Sequence, residues 1–291
     1  MAPPGSLRSP PPEGAPHRPG DPSGAGAASI GIVMSPPVEY VLRIADTCLI
    51  HAQRLAEWCG HGPVIEEDIA LTNQALDLIG QARSLLTLAG RLEGQGFDED
   101  RLAFLRDERD FRNLTLVEQP LRRSSAHSPG GDFADTVLRS FLLATWLGLL
   151  WQRLGSSSEA ELSAIAGKAL KEARYHQQHC GDWVVRLGDG TEESARRLAA
   201  ALGRAWPYVN EMFQRDAVDA AAQAGGLGPA RDELAADWQQ AVAAVFADAQ
   251  LALPPATPFV GTGTQGRHSE HLGFILAEMQ TLQRSFPGGR W

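Results

Sequence analysis

Residues 170–176 read L-K-E-A-R-Y-H and place a carboxylate and an imidazole on one stretch of chain. A four-helix bundle that holds two irons takes one Glu from each of two helices and a Glu-x-x-His pair from each of the other two. The spacing matters because residues three apart are neighbours on one helical face. Here Glu172 is followed at that spacing by Tyr175, and His176 comes one place later.

The other segments that could complete such a site show the same partial pattern. An early stretch carries Asp46, Ile50, Gln53 and Glu57 at steps of four, three and four. The next reads A-L-D-L-I-G-Q-A-R. Its Asp77 can stand for a Glu, but Gly80 offers no ligand three residues on. A third has Asp132, Asp135 and Arg139 near its start and an apolar middle. Buried carboxylates without metal need partners, and Gln81, Arg83, Arg54 and Arg174 can supply them. The pattern therefore predicts a metal-free polar core built from Gln53, Glu57, Asp77, Glu172, Tyr175 and His176, with no catalytic residue. A competing constellation is a metal site made of Glu172, His176 and His179, spaced i, i+4 and i+7, with Asp77 opposite and Cys180 nearby.

Other motifs are weaker. R-H-S-E-H at 267–271 reads as a hydrogen-bonded helix start. V-G-T-G-T-Q-G at 260–266 has neither a preceding strand nor a following Lys, so it is no phosphate loop. No G-x-S-x-G is present. Lys168, Lys171 and Arg174 recur at steps of three and could meet phosphates, such as those of coenzyme A, or the carboxylates of a partner.

These residues must be positioned by helices. Between Val38 and Leu253 the only prolines are Pro63, Pro120, Pro129, Pro207 and Pro229, and proline punctuates helices rather than filling them. Periodicity predicts long helices over about 38–58, 63–92, 132–154 and 159–187. Asp132 and Thr191 serve as N-caps. Further helices are expected over 191–203, 207–224, 231–251 and 268–284, with shorter pieces over 98–118 and a polar loop, R-R-S-S-A-H-S-P-G-G, after Pro120. Alternating strand patterns are nearly missing. The fold class is all-α, an antiparallel four-helix bundle with additional C-terminal helices, as one domain over 36–291.

Composition narrows the function. The chain has 291 residues, a hydrophobic share of 43% and net charge −9. The acidic balance argues against nucleic-acid binding. No run approaches 18 uninterrupted apolar residues, and the longest, around Phe141–Trp151, reads as too short to span a membrane. Three cysteines without a C-x-x-C pair suggest a reduced, cytoplasmic protein. Ten of the 19 prolines fall in residues 1–37. Residues 1–35 read as a disordered Pro/Gly/Ala-rich extension, and Met34 is a candidate natural start that N-terminal sequencing would check.

Six blocks in order then resemble a known family: E-W-C-G-H-G-P at 57–63, E-E-D-I-A-L-T-N-Q-A-L-D-L-I-G-Q-A-R at 66–83, F-R-N-L-T-L-V-E-Q-P at 111–120, K-E-A-R-Y-H at 171–176, W-V-V-R-L-G-D-G-T at 183–191 and H-S-E-H-L-G-F-I-L-A-E-M-Q at 268–280. Together they look like the C subunits of bacterial 1,2-phenylacetyl-CoA epoxidases, over about 40–291. The loop after Q-P is longer than that family's. The resemblance implies a ferritin-like fold and a place in aerobic phenylacetate degradation. It implies an assembly that epoxidises the aromatic ring of phenylacetyl-CoA with O2. It further implies di-iron in the catalytic A subunit, the small B subunit as another partner, and electrons from a flavin and iron–sulfur reductase using NADPH. A chain of the C type is expected to lack iron and to act structurally.

Overall fold

The computed structural model describes residues 31–121 and 131–289. The proline-rich extension lies almost wholly outside these residues, as does most of the loop after Pro120. Nine α-helices are present among the described residues: α1 Pro36–Ala56, α2 Ile65–Glu93, α3 Glu99–Phe104, α4 Phe133–Leu154, α5 Ala160–Gly188, α6 Glu192–Ala205, α7 Ala217–Ala224, α8 Ala235–Asp248 and α9 Glu270–Ser285. No strand occurs among the described residues.

The bundle consists of α1, α2, α4 and α5. The short connections make α1/α2 and α4/α5 antiparallel hairpins, and α2 packs along α5 to close the bundle. α4 is started by its own side chains. Asp132 accepts from Ala134 N at 2.9 Å, and Asp135 reaches back to Asp132 N at 2.8 Å. That reciprocal capping satisfies amides that the first turn leaves open. At 22 residues α4 is long and apolar enough to cross a membrane. The sequence expectation that this stretch is too short therefore fails on length. Its apolar character is explained by position: nearly the whole helix is buried in the bundle.

The C-terminal half wraps the bundle. α6 and α8 pack on α4 and α5, α7 on α1, and α9 on α3. Trp238 of α8 donates its indole N–H to Leu142 O of α4 at 3.0 Å, which satisfies the one polar atom of a large buried ring. The single helix expected over 207–224 is interrupted. Trp206–Phe213 forms a 3₁₀ segment, and α7 starts only after Asp216. Asp216 accepts from Val218 N and Asp219 N and so fixes a new helix start there. The helix expected over 231–251 likewise begins as a 3₁₀ turn at Arg231–Leu234 and ends at Asp248.

The glycine-rich stretch at 260–266 has a packing explanation. A Cβ on Gly263 would lie 2.4 Å from Asn113 O and 2.9 Å from Thr115 N. Glycine is therefore needed where this segment lies against residues 113–115. Glu211, buried beneath both segments, accepts from Thr115 N at 2.8 Å and Thr264 N at 3.0 Å.

Candidate functional site

The bundle interior is set by which residues of each helix face inward. On α5 the buried positions run Ala166, Ala169, Ala173, His176 and Cys180. The Glu-x-x-His register therefore falls on Ala173 and His176, not on Glu172 and Tyr175. The histidine is in place, and the inward carboxylate position is an alanine. Glu172 lies at the edge of the bundle. It accepts from Gln81 Nε2 at 2.9 Å and pairs with Lys168 at 3.6 Å. Tyr175 is 59% exposed and stacks on His179.

On α2 the inward positions are Gln74, Leu78 and Gln81, at i, i+4 and i+7. Gly80 faces away, since a Cβ built there meets nothing within 4 Å. A histidine at that position would not enter the bundle, so Gly80 is not where a ligand is missing. Asp77 sits half-buried at the rim and meets His176 Nε2 at 3.0 Å.

The six residues proposed as one polar core do not converge. Asp77 and His176 form one pair, and Glu172 lies one helical turn along, on Gln81. Glu57 pairs with Arg54 at the end of α1. Gln53 is half-buried and Tyr175 is exposed. Asp46 belongs to a different layer: with both side chains fully buried, it pairs with Arg106, and it also accepts from Arg112 N at 2.8 Å. The alternative metal set is also separated. His176 goes to Asp77, His179 goes to Glu67 at 3.0 Å, and Glu172 goes to Gln81. Among the described residues no three His, Cys, Asp or Glu side chains cluster as a metal site.

What fills the interior was only partly legible in the sequence. His51, Gln74, Ser140 and Ala173, with Gln81 and His176, line a cavity of about 10 Å³, roughly the room of one water. Ser140 Oγ lies 3.3 Å from His51 Nε2. Cys48 and Cys180 face Gln81 Oε1 and Gln74 Oε1 at 3.7 and 3.6 Å. Burial raises both thiols, Cys180 to about 12, so they act as neutral donors. Burial also depresses His51 strongly. It depresses His176 against the opposing pull of Asp77. The sequence signals for this layer were the seven-residue interval between Gln74 and Gln81 and the three- and seven-residue intervals from Ala173 to His176 and Cys180.

A pair of irons about 3.5–4 Å apart requires carboxylates on all four helices. The lining holds no Asp or Glu, and its cavity is too small. The residues present do not fit that group. They form a neutral layer of amides, imidazoles and thiols, in which the buried His51 Nδ1 and Gln74 Nε2 have no hydrogen-bond partner.

The cationic strip is on the outside. Lys168, Lys171 and Arg174 are all exposed, and Lys168 is tied to Glu172. His268 of R-H-S-E-H meets Glu118 Oε1 at 2.7 Å, and Ser269 N donates to Glu118 Oε2 at 2.8 Å.

Comparison with known proteins agrees with this architecture. The pattern of the phenylacetic acid catabolic protein family matches residues 33–291. The chain is 45% identical over 252 residues to the C subunit of 1,2-phenylacetyl-CoA epoxidase from Escherichia coli (strain K12), covering 87% of this chain and 98% of that protein. The chain therefore belongs to the phenylacetic acid catabolic protein family, as an all-helical, ferritin-like member.

Proposed function

We propose that this chain is a structural, non-catalytic subunit of a multicomponent phenylacetyl-CoA epoxidase in aerobic phenylacetate degradation. In this reading it supports the di-iron catalytic A subunit. The small B subunit, together with an NADPH-dependent flavin and iron–sulfur reductase, completes the assembly. The observation that carries the reading is the interior of the bundle. Ala173 stands where α5 would present a carboxylate, and Gln74 and Gln81 stand where α2 would present ligands, around a cavity of about 10 Å³. Apolar packing and buried protein–protein pairs can hold such a bundle without metal, so its long helices remain available to brace a partner's active-site helices. The name of the Escherichia coli relative supplies the reaction and the assembly.

An exposed stripe supports the pairing. Ile65, Ile69, Leu76 and Ile79 fall within an arc of about 80° on α2, and each is exposed, Leu76 by 59% and Ile65 by 72%. Tyr175 adds an exposed aromatic ring on α5, next to the His176 that meets Asp77 across the α2–α5 seam. Aromatic and aliphatic groups of this kind form the cores of protein interfaces. The strip of Lys168, Lys171 and Arg174 is read as a solvated face. Lys168→Glu with Lys171→Glu is expected to leave the assembled enzyme's KM for the acyl-CoA unchanged, and a raised KM would assign it to the coenzyme A phosphates instead.

Metal content tests the main reading. The chain is purified alone from iron-supplemented cells, then together with the A subunit. Iron at background alone and stoichiometric only with the partner is the expected result. One or two irons per chain alone, lost in Glu172→Ala or His176→Ala, would overturn it.

A further inference from the structure

The Asp77–His176 pair sits in the seam between α2 and α5, and its two members differ in their access to water. The His176 side chain faces the bundle interior and is 6% exposed, while that of Asp77 is 40% exposed. They meet at 3.0 Å through His176 Nε2. Gly80, one turn further along α2, adds no side chain over the seam, and a Cβ there would meet nothing within 4 Å. The chain neighbours of the pair are outward-facing and apolar or aromatic. Leu76 precedes Asp77, Tyr175 precedes His176, and both are 59% exposed. The stripe proposed above as the partner's seat therefore has this pair along its edge.

The charges around His176 come from all four bundle helices. α2 contributes Asp77, and α5 contributes Glu172, paired with Lys168, and His179, paired with Glu67 of α2. α1 contributes His51, and the charge of Arg139 of α4 bears on that ring. α4 otherwise lines the cavity beside His176 with Ser140 and apolar side chains. Burial holds His176 below its ordinary value in the free chain, against the pull of Asp77. A neutral imidazole beside an ionised Asp77 leaves the pair with a net negative charge, which is tolerable while the carboxylate keeps its water. An apolar partner laid over Leu76 and Tyr175 removes that water, and a net charge without solvent is strongly disfavoured. An added proton makes the pair neutral overall, whichever group holds it. His176 is already hydrogen-bonded to the carboxylate, so the covering surface needs no cation of its own.

We infer that seating the A subunit over this seam is proton-linked: the Asp77–His176 pair takes up a proton as its carboxylate is covered, so assembly tightens as pH falls. The inference rests on the proposed structural role and adds its regulation. Because the protonated pair is favoured in the complex, tightening continues with falling pH until the pair is also protonated in the free chain, and then levels off.

Titration calorimetry of the full chain with the A subunit tests it, at pH 8, 7 and 6 and, at pH 7, in buffers of different ionisation enthalpy. Net proton uptake is expected, with a Kd at pH 6 at least about fivefold below that at pH 8, inside the limit of about tenfold per pH unit for one linked proton. Asp77→Asn is neutral without the proton. It should bind at pH 8 at least as tightly as the unmodified chain does at pH 6, with the pH dependence removed. His176→Gln keeps the carboxylate and loses the imidazole, so it should bind at pH 6 as weakly as the unmodified chain does at pH 8. Asp77→Asn changes a half-exposed residue, which keeps the test decisive if the histidine variant fails to fold. A pH-independent Kd, proton release, or an unchanged pH dependence in Asp77→Asn would each overturn the linkage and leave the structural role standing. The first of these would mean that the partner brings a cation to Asp77. No complex at any pH with an iron-loaded A subunit would overturn both readings.

Discussion

Glu118 and His268, 150 residues apart, are joined by a 2.7 Å hydrogen bond that ties the start of α9 to the segment following α3. Glu118 also accepts from Asn113 Nδ2 at 2.9 Å and from Ser269 N and Oγ at 2.8 and 2.7 Å, and it is fully buried. The other His268 nitrogen meets Phe111 O at 3.1 Å. Both ring nitrogens therefore face acceptors. Two sequence blocks, F-R-N-L-T-L-V-E-Q-P and H-S-E-H, thus form one latch. Glu118→Ala would leave these donors buried without an acceptor. The expected cost is about 3–5 kcal/mol, read as a lowered urea midpoint, with cleavage by a protease near 260–270 accelerated. An unchanged midpoint would mean that the latch contributes nothing to stability.

Asp46 and Arg106 give a second expected outcome. Both side chains are fully buried, and Arg106 also stacks on the Phe111 ring, 4.2 Å from its centroid. Asp46→Asn removes one charge and leaves the other uncompensated in the protein. A loss of about 3–5 kcal/mol is expected. The double variant Asp46→Leu with Arg106→Met should recover much of it, because an apolar pair of similar volume avoids desolvating charge. Thermal unfolding of the three proteins checks both statements, and a double variant no more stable than the single one would contradict the second.

The helices were legible because proline placement, capping residues and apolar periodicity all point the same way. The caps at Asp132 and Thr191 lie where those signals put them. The register within the bundle was harder to read. One residue along a helix is a rotation of about 100°, so the choice between Glu172/Tyr175 and Ala173/His176 turns on which residues the neighbouring helix covers. A conspicuous carboxylate drew the reading to Glu172, while the inward residue of that turn is a silent alanine. Asp46 shows the same limit from another side. It lies on a helix that is buried almost all round, so its own sequence cannot say which neighbour it meets. The cavity of about 220 Å³ beside Arg139 draws its walls from four segments, 116–121, 131–139, 204–208 and His271, and spacing along one helix carries no trace of it.

The depressed histidines give stability a pH dependence. His51 and His176 are held below their ordinary value, chiefly by burial. Unfolding frees them to take up protons below about pH 6.5. In that range the unfolded chain binds more protons than the folded one, so stability rises with pH and is lost as pH falls. At pH 5 the loss is at most about 2 kcal/mol per buried histidine. Urea midpoints measured from pH 8 to pH 5 should fall below pH 6.5, and His51→Gln should make the fall shallower. A midpoint that stays flat across this range would show that both rings titrate as freely in the folded protein as in the unfolded chain.

The stripe on α2 offers a test that separates folding from assembly. Leu76 and Ile79 are exposed, by 59% and 37%, and contribute little to the core. Leu76→Asp with Ile79→Asp places two carboxylates on that face beside the half-exposed Asp77. The isolated chain should keep its melting temperature within a few degrees, since exposed substitutions away from special features change stability by only about 0.5 kcal/mol each. If α2 is the face that seats the A subunit, co-purification should weaken by about tenfold or more, because charges desolvated at an interface core without partners are strongly disfavoured. Size-exclusion chromatography of the mixed proteins reads this directly. Undiminished pairing, with the fold intact, would place the partner on another face. A candidate for that face is the exposed side of α9 around Phe274 and Leu282, where the same pair of substitutions can be repeated.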